Sequence, residues 1–170
     1  DDQKSGSSFT FAMPLDVAAL TAAVGEEYEI VVRLHPIVRS KVKLPWGVHN
    51  AGPGFEMEDL LATADVLVTD YSSVMFDYAV LGRPLVFLVP DLERYRDTLR
   101  GFYLDFEAEA PGPLVRTTSA LVSLLKDPDA LGGSLDRVED FRRRFCPEDD
   151  GHAGARVVEA LITRGVLPRP

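Results

Sequence analysis

The sequence predicts an α/β fold, a doubly wound and mostly parallel sheet of the Rossmann-like kind, and three observations carry that prediction. Residues 65–69 (DVLVT) and 84–89 (PLVFLV) are short apolar runs, and residues 74–81 between them have helical spacing closed by Gly82, which makes a strand, helix, strand unit. Both runs are near-continuously apolar rather than alternating, as strands of a parallel sheet covered on both faces must be. The chain has 170 residues, 46% hydrophobic and 26% charged, with 12 Pro and 13 Gly, which fits one globular domain over residues 1–170 and excludes collagen, coiled coil and wholesale disorder.

Residues 1–8 (DDQKSGSS) read as a flexible polar loop, and because the chain opens on Asp1 rather than Met it is expected to be a piece of a longer protein. Residues 15–24 (LDVAALTAAV) place Leu15, Ala18, Ala19, Ala22 and Ala23 on one helical face, with Gly25 as the stop. Residues 28–34 (YEIVVRL) predict a strand that must finish at His35-Pro36, since proline offers no amide donor. A brief strand is expected at 46–50, a turn at Gly52-Pro53-Gly54 and an acidic-ended helix at 56–64. Beyond the central unit, residues 91–101 read as a charged loop with a helical turn, and Pro111-Gly112-Pro113 breaks the chain. Helices are expected at 119–125, 137–145 and 153–164 with no strand between them, so residues 134–170 form a C-terminal helical segment.

Charge and cysteine usage narrow the function. Lys plus Arg number 18 against 27 Asp plus Glu, and a formal charge of −9 disfavours sequence-independent binding of nucleic acid, whose affinity comes from neutralised phosphates. Cys146 is the only cysteine, so neither an intrachain disulfide nor a cysteine-rich zinc cage can form, and a reducing, cytosolic compartment is expected. No apolar run approaches the roughly 20 residues that span a bilayer.

In open α/β sheets ligands bind beyond the carboxyl ends of the strands, which puts His35 and the loop of residues 70–73 on one functional edge. Ser72 and Ser73 precede a helix, where backbone N–H groups and the positive end of the dipole favour an anion and two hydroxyls add donors without bulk. The same hydroxyls suit an N-cap, worth about 1 kcal/mol and a far commoner role. Arg33 and His35 lie on one face of an extended strand, so a guanidinium and an imidazole can converge on one anion; Arg33 pairing with a helix carboxylate and His35 closing a loop stay open beside it. Asp77 sits one helical turn beyond Ser73, placed to accept from a ribose or substrate hydroxyl or simply to be solvated. His49 and His152 show no metal-ligand spacing, so no metal site is expected, and Ser72 lacks the G-x-S-x-G elbow of a hydrolase nucleophile. Arg94, Arg96 and Arg100 interleave with Glu93 and Asp97, which suggests mutual salt bridging in a solvated loop.

Six segments together resemble a known family. They are 65–83 (DVLVTDYSSVMFDYAVLGR), Asp91-Leu92-Glu93-Arg94-Tyr95-Arg96, Arg100-Gly101-Phe102-Tyr103, Pro111-Gly112-Pro113, Arg33-Leu34-His35-Pro36, and Asp150-Gly151 leading into Arg156-Val157-Val158-Glu159. Over nearly the whole chain they resemble the CDP-glycerol glycerophosphotransferase family, which includes teichoic acid polymerases. The resemblance implies a GT-B architecture, two Rossmann-like domains with the active site between them, of which this chain is similar to the C-terminal, donor-binding half. It also implies the reaction: a hydroxyl of a glycerol phosphate chain attacks the β-phosphorus of CDP-glycerol and CMP departs, with positioning and charge stabilisation dominant. Carried over, the pattern makes Arg33 and His35 pyrophosphate contacts, with His35 the catalytic candidate, Ser72 and Ser73 phosphate donors, and Asp77 a donor-substrate contact.

The implied partners are CDP-glycerol, or CDP-ribitol in a related polymerase, and a lipid-linked polyol phosphate acceptor engaged through an N-terminal domain. The implied setting is the cytoplasmic face of the cell membrane, with no nucleic acid; CDP-glycerol enters as donor substrate, no cofactor is assigned, and a magnesium requirement stays open. Without that domain and its further histidine the chain is expected not to catalyse alone. The Asp-Gly-x-Ala-Ser pattern of the family reads Asp150-Gly151-His152-Ala153-Gly154 here, so its serine contact is absent. Two other readings stand beside this one: a UDP-sugar-dependent GT-B transferase or epimerase, separable by nucleotide preference, and a receiver-like signalling domain, which wants a carboxylate-built magnesium site and leaves Arg33 and His35-Pro36 unexplained.

Overall fold

The computed structural model describes residues 3–5 and 8–10, as backbone, and residues 13–34, 42–52 and 54–168. Its centre is strand β6 (Leu85–Leu88), buried at every position. β5 (Leu67–Thr69) pairs parallel to it with Leu67 opposite Leu85, and β7 (Leu114–Val115) pairs parallel on the other side with Leu114 opposite Phe87. β3 (Ile30–Val32) and β4 (Val48–Asn50) form a second parallel pair with Ile30 opposite Val48.

The two-residue period of the strands divides the core into two layers. Leu85, Phe87 and Val89 point to one side, joined by Leu67 and Leu114, and pack on Leu61 of α2 (Met57–Thr63), Met75 and Tyr78 of α3 (Val74–Ala79) and Val138 and Phe141 of the eleven-residue helix Leu135–Phe145. Val86 points the other way with Val66, Val68 and Val115, against Leu20 and Val24 of α1 (Val17–Val24) and Leu121 and Leu125 of the helix Thr118–Leu125. Helices thus cover both faces of a parallel sheet, the α/β architecture expected. Ile30 of β3 packs on this second layer too.

The remaining helices follow in chain order. Leu92–Arg94 (α4) runs on through a π-helical turn at Tyr95–Leu99, and Phe106–Glu109 is α5. Thr118–Leu125 (α6) precedes Pro128–Gly132 (α7), then Leu135–Phe145 (α8) and Ala153–Thr163 (α9). Aspartate and threonine N-caps set several starts: Asp16 accepts from Ala19 N at 2.9 Å, Asp127 from Ala130 N at 3.0 Å and Thr117 from Ala120 N at 3.2 Å. α9 has no buried residue and turns Val157 and Val158 to solvent.

Several expectations are corrected. Within residues 1–8, read as a loop, Gln3–Ser5 (β1) pairs antiparallel with Ser8–Thr10 (β2); main-chain pairing needs no apolar side chains, so composition does not reveal it. Residues 91–101 are mostly helical, because Leu92 is buried and Tyr95 stacks on the core side of the loop after β5, which outweighs the local charge density. β7 and α7 were not anticipated. Gly112 explains how β7 begins: a Cβ there would lie 2.1 Å from the Leu85 carbonyl oxygen, so only glycine lets the chain between Pro111 and Pro113 run against β6, where Phe87 N donates to Pro113 O at 2.9 Å. Gly82, at φ +65°, is the left-handed stop of α3 expected from its position.

Candidate functional site

Because β5, β6 and β7 are parallel, the segments that follow them leave from one edge: residues 70–73 after β5, Asp91 after β6 and Arg116 after β7. This is the edge at which open α/β sheets hold ligands. Ser72 and Ser73 stand there exposed. Of the two roles open to them, the cap is poorly developed. Ser73 has helical dihedral angles, φ −62° and ψ −11°, and makes no capping bond, while Ser72 Oγ accepts from Val74 N at a long 3.4 Å. The first turn of α3 is closed by main-chain bonds instead, Met75 N to Ser72 O at 3.3 Å and Phe76 N to Ser73 O at 3.0 Å.

Asp77 is exposed in the first turn of α3, one turn beyond Ser73. It opens onto a cleft of about 530 Å³ between α3, the end of α8 and the start of α9, whose walls also include Cys146, Asp149, Gly151 and Gly154. Asp77, Glu148 and Asp149 make the cleft rich in hydroxyl acceptors. Cys146 is no nucleophile there: it is buried, its Sγ donates to Phe76 O at 3.6 Å, and burial, with Asp149 and Asp77 nearby, pushes its thiol pKa upward. The turn that carries the departed serine motif is closed by Asp150, whose Oδ1 accepts from His152 N at 2.9 Å and from Arg156 Nη1 at 2.8 Å.

Arg33, just past β3, donates from Nη1 to the carbonyl oxygen of Phe55 at 2.6 Å. Among the described residues Arg33 makes no pair with a helix carboxylate; one of its five donors ties the end of β3 to the approach of α2. His35 lies outside the described residues. The structure therefore places Ser72 and Ser73 just before α3 and Asp77 in its first turn, and Arg33 at the end of another strand without a bond to them among the described residues. Among those residues no group of three or more His, Cys, Asp or Glu is placed to hold a metal ion.

Three groups on this edge were not singled out from sequence. Tyr71 Oη donates to Asp91 Oδ1 at 3.0 Å, and Tyr71 lies against Tyr95 with ring centroids 4.0 Å apart. Burial first, then the Asp91 carboxylate, holds the Tyr71 phenol far above its usual range. Beside them Arg116 grips both Glu93 carboxylate oxygens, from Nη1 at 2.8 Å, and holds the Glu93 carboxyl down to about 2. Arg96 pairs with Asp97 at 2.7 Å and Glu107 at 2.6 Å, the salt bridging expected of that segment. The available signal for the Tyr71–Asp91 contact is positional: an aromatic and an acid, each just past one of two neighbouring strands.

Comparison with known proteins gives the edge its context. A teichoic acid glycerol-phosphate transferase of Staphylococcus aureus (strain NCTC 8325 / PS 47) is 36% identical over 164 residues, 95% of this chain and 42% of that protein. A teichoic acid poly(glycerol phosphate) polymerase of Bacillus subtilis (strain 168) is 38% identical over 167 residues, 95% of this chain and 22% of that one. The chain thus spans less than half the length of these relatives. The solved wall teichoic acid polymerase TagF superposes with a TM-score of 0.79 at 31% identity, covering 92% of this chain and 39% of that chain, and a variant soaked with CDPG superposes at 0.78. With the family described as CDP-Glycerol:Poly(glycerophosphate) glycerophosphotransferase matching residues 1–163, the chain belongs to that family.

Proposed function

We propose that this chain is the donor-binding half of a GT-B enzyme that transfers glycerol phosphate from CDP-glycerol to a growing teichoic acid or related cell-envelope polymer. The observation that carries the reading is the exposed pair Ser72 and Ser73, which stands at the ligand edge of the sheet with Ser73 making no capping bond to α3. Their hydroxyls donate to the pyrophosphate, Arg33 supplies positive charge to it, His35 contacts it by hydrogen bonding, and Asp77 accepts a hydroxyl of the donor. A hydroxyl oxygen of the acceptor attacks the β-phosphorus, the bond from that phosphorus to the bridging oxygen breaks, and CMP leaves with the electron pair; the acceptor proton passes to a base, for which the candidate is the histidine of the N-terminal domain that the family resemblance implies. The groups on this edge act by position and charge, which is where most of the acceleration of phosphoryl transfer arises. The acceptor is a lipid-linked polyol phosphate met at the inner face of the membrane, and no described helix is long and apolar enough to cross one.

Calorimetric titration of the chain with CDP-glycerol, CDP, UDP and ADP tests this. Cytidine-selective binding is expected, and a clear preference for UDP would replace the reading with a sugar-nucleotide enzyme.

A further inference from the structure

We propose that Tyr71 and Asp91 are a positioning pair that fixes the loop of residues 70–73 in the conformation in which Ser72 and Ser73 receive the donor's phosphates. The two residues leave the carboxyl ends of the neighbouring parallel strands β5 and β6, and the bond from Tyr71 Oη to Asp91 Oδ1, 3.0 Å, closes the gap between those segments. Tyr71 immediately precedes Ser72, so where its ring sits decides how the chain enters α3. The ring is clamped on several sides: Tyr95 lies parallel to it at 4.0 Å, with Phe102 at 5.6 Å and Phe106 at 5.8 Å between centroids.

Main-chain bonds and the packing of Met75 and Phe76 hold α3 itself, but side-chain bonds do little to fix the serines that lead into it. Ser73 gives no capping bond and the Ser72 contact to Val74 N is long, at 3.4 Å. Asp91 meanwhile carries a burden no packing role explains: its Oδ2 is shielded from solvent and has no hydrogen-bond partner among the described residues. A buried acceptor left without a donor is unfavourable, so a carboxylate here calls for a compensating task, and its other oxygen has one in the phenol of Tyr71. Asp91 also sits at the N-cap position of α4 without a capping bond, so holding that helix is not the task. The pair rests on the reading of Ser72 and Ser73 as phosphate ligands, and it acts through them rather than on the substrate.

Amide hydrogen exchange on the whole chain tests the pair without any ligand. In Tyr71→Phe the amides of Val74, Met75 and Phe76 are expected to exchange about tenfold faster or more, while those of Val86, Phe87 and Leu88 keep the wild-type rate. Asp91→Asn retains an oxygen that can accept from the phenol and should restore near-wild-type exchange in α3, whereas Asp91→Ala should behave like Tyr71→Phe. Unchanged α3 amides in Tyr71→Phe would overturn the proposal, as would equal acceleration in β6, which marks general destabilisation. Titration with CDP-glycerol then separates the pair from the reading beneath it. Tyr71→Phe should weaken binding about tenfold alongside Ser73→Ala. Binding lost in Ser73→Ala but intact in Tyr71→Phe sinks the pair alone; the same affinity in all proteins, or none in any, counts against the phosphate reading and the pair's part in it.

Discussion

Replacing Ser73 with alanine separates a phosphate ligand from a helix cap, because the two roles predict opposite losses. Removing a capping serine costs roughly 0.5–2 kcal/mol. In a domain of this size about 1 kcal/mol moves Tm by roughly 2–4 °C, so loss of a cap would lower Tm by about 1–8 °C. Ser73 already has helical dihedral angles and its hydroxyl caps nothing, so Ser73→Ala is expected to change Tm by less than about 1 °C. A hydroxyl donating to a phosphate oxygen is a charge-assisted hydrogen bond, worth roughly 1.5–3 kcal/mol. At about 1.4 kcal/mol per decade, that raises the Kd for CDP-glycerol by roughly 10- to 150-fold. Scanning calorimetry and titration calorimetry on the same samples read both numbers. A Tm lowered by several degrees with Kd unchanged refutes the reasoning at both ends, since the serine would then be a cap and no ligand.

Other sites give independent checks. Gly112→Ala puts a methyl group against the Leu85 carbonyl, which is backbone and cannot step aside, so chemical denaturation should show a loss of about 1–3 kcal/mol or more; a neutral result would mean the close approach is absent. The Glu93 carboxyl is held down to about 2 by Arg116, so its contribution is complete above the unfolded value of about 4.3 and fades as pH falls towards 2. Glu93→Gln should therefore flatten the stability profile between those limits and leave its shape at neutral pH alone, and a variant profile parallel to wild type throughout would count against the pair. Cys146, buried and with its pKa raised, should react with a thiol reagent at least about tenfold more slowly in the folded chain than in urea, and equal rates would show the thiol to be open.

The central unit was legible because its signals were long-range in consequence but local in sequence. A run such as Pro84-Leu85-Val86-Phe87-Leu88-Val89 has no polar face, so it can only be a strand covered on both sides, and the division of Phe87 and Val86 between two cores is what that demands. Ser72, Ser73 and Asp77 were legible for the same reason: their spacing alone puts them at the start of one helix. What escaped was set by partners far along the chain. β7 is two residues long and exists because Gly112 lets the chain lie against β6, a fact about backbone contact that a Pro-Gly-Pro turn does not advertise. The helical course of residues 92–99 depends on Tyr95 finding Tyr71, twenty-four residues upstream in the numbering, and charge density alone pointed to a loop. Arg33 illustrates the limit of reading one side chain at a time, since its observed partner is a main-chain oxygen, which no pattern of residue types can indicate.

A formal charge of −9 works against the anionic donor proposed for this chain, and the layout of the sheet edge explains how the two are compatible. Charges more than about 8 Å away are largely screened at physiological ionic strength, so only the groups bordering Ser72 and Ser73 matter. Asp70 and Asp77 flank the serines in sequence and stand exposed, but carboxylates beside Tyr71 and Arg116 are already engaged, Asp91 by the Tyr71 phenol and Glu93 by Arg116, and Arg96 holds Asp97 and Glu107. Engaged carboxylates repel an incoming phosphate less than bare ones, and the ion pairs keep Arg116 and Arg96 bound up with them. On the proposed reading the donors that meet the phosphate are the Ser72 and Ser73 hydroxyls, since the N–H groups of Val74, Met75 and Phe76 are already bonded within the turn, with Arg33 at the end of the other strand pair. A site of the proposed kind recognises the shape of a phosphate through directed hydrogen bonds more than through bulk attraction, so on that reading the exact set of one loop, and the tyrosine proposed to anchor it, counts for more than the charge of the whole domain.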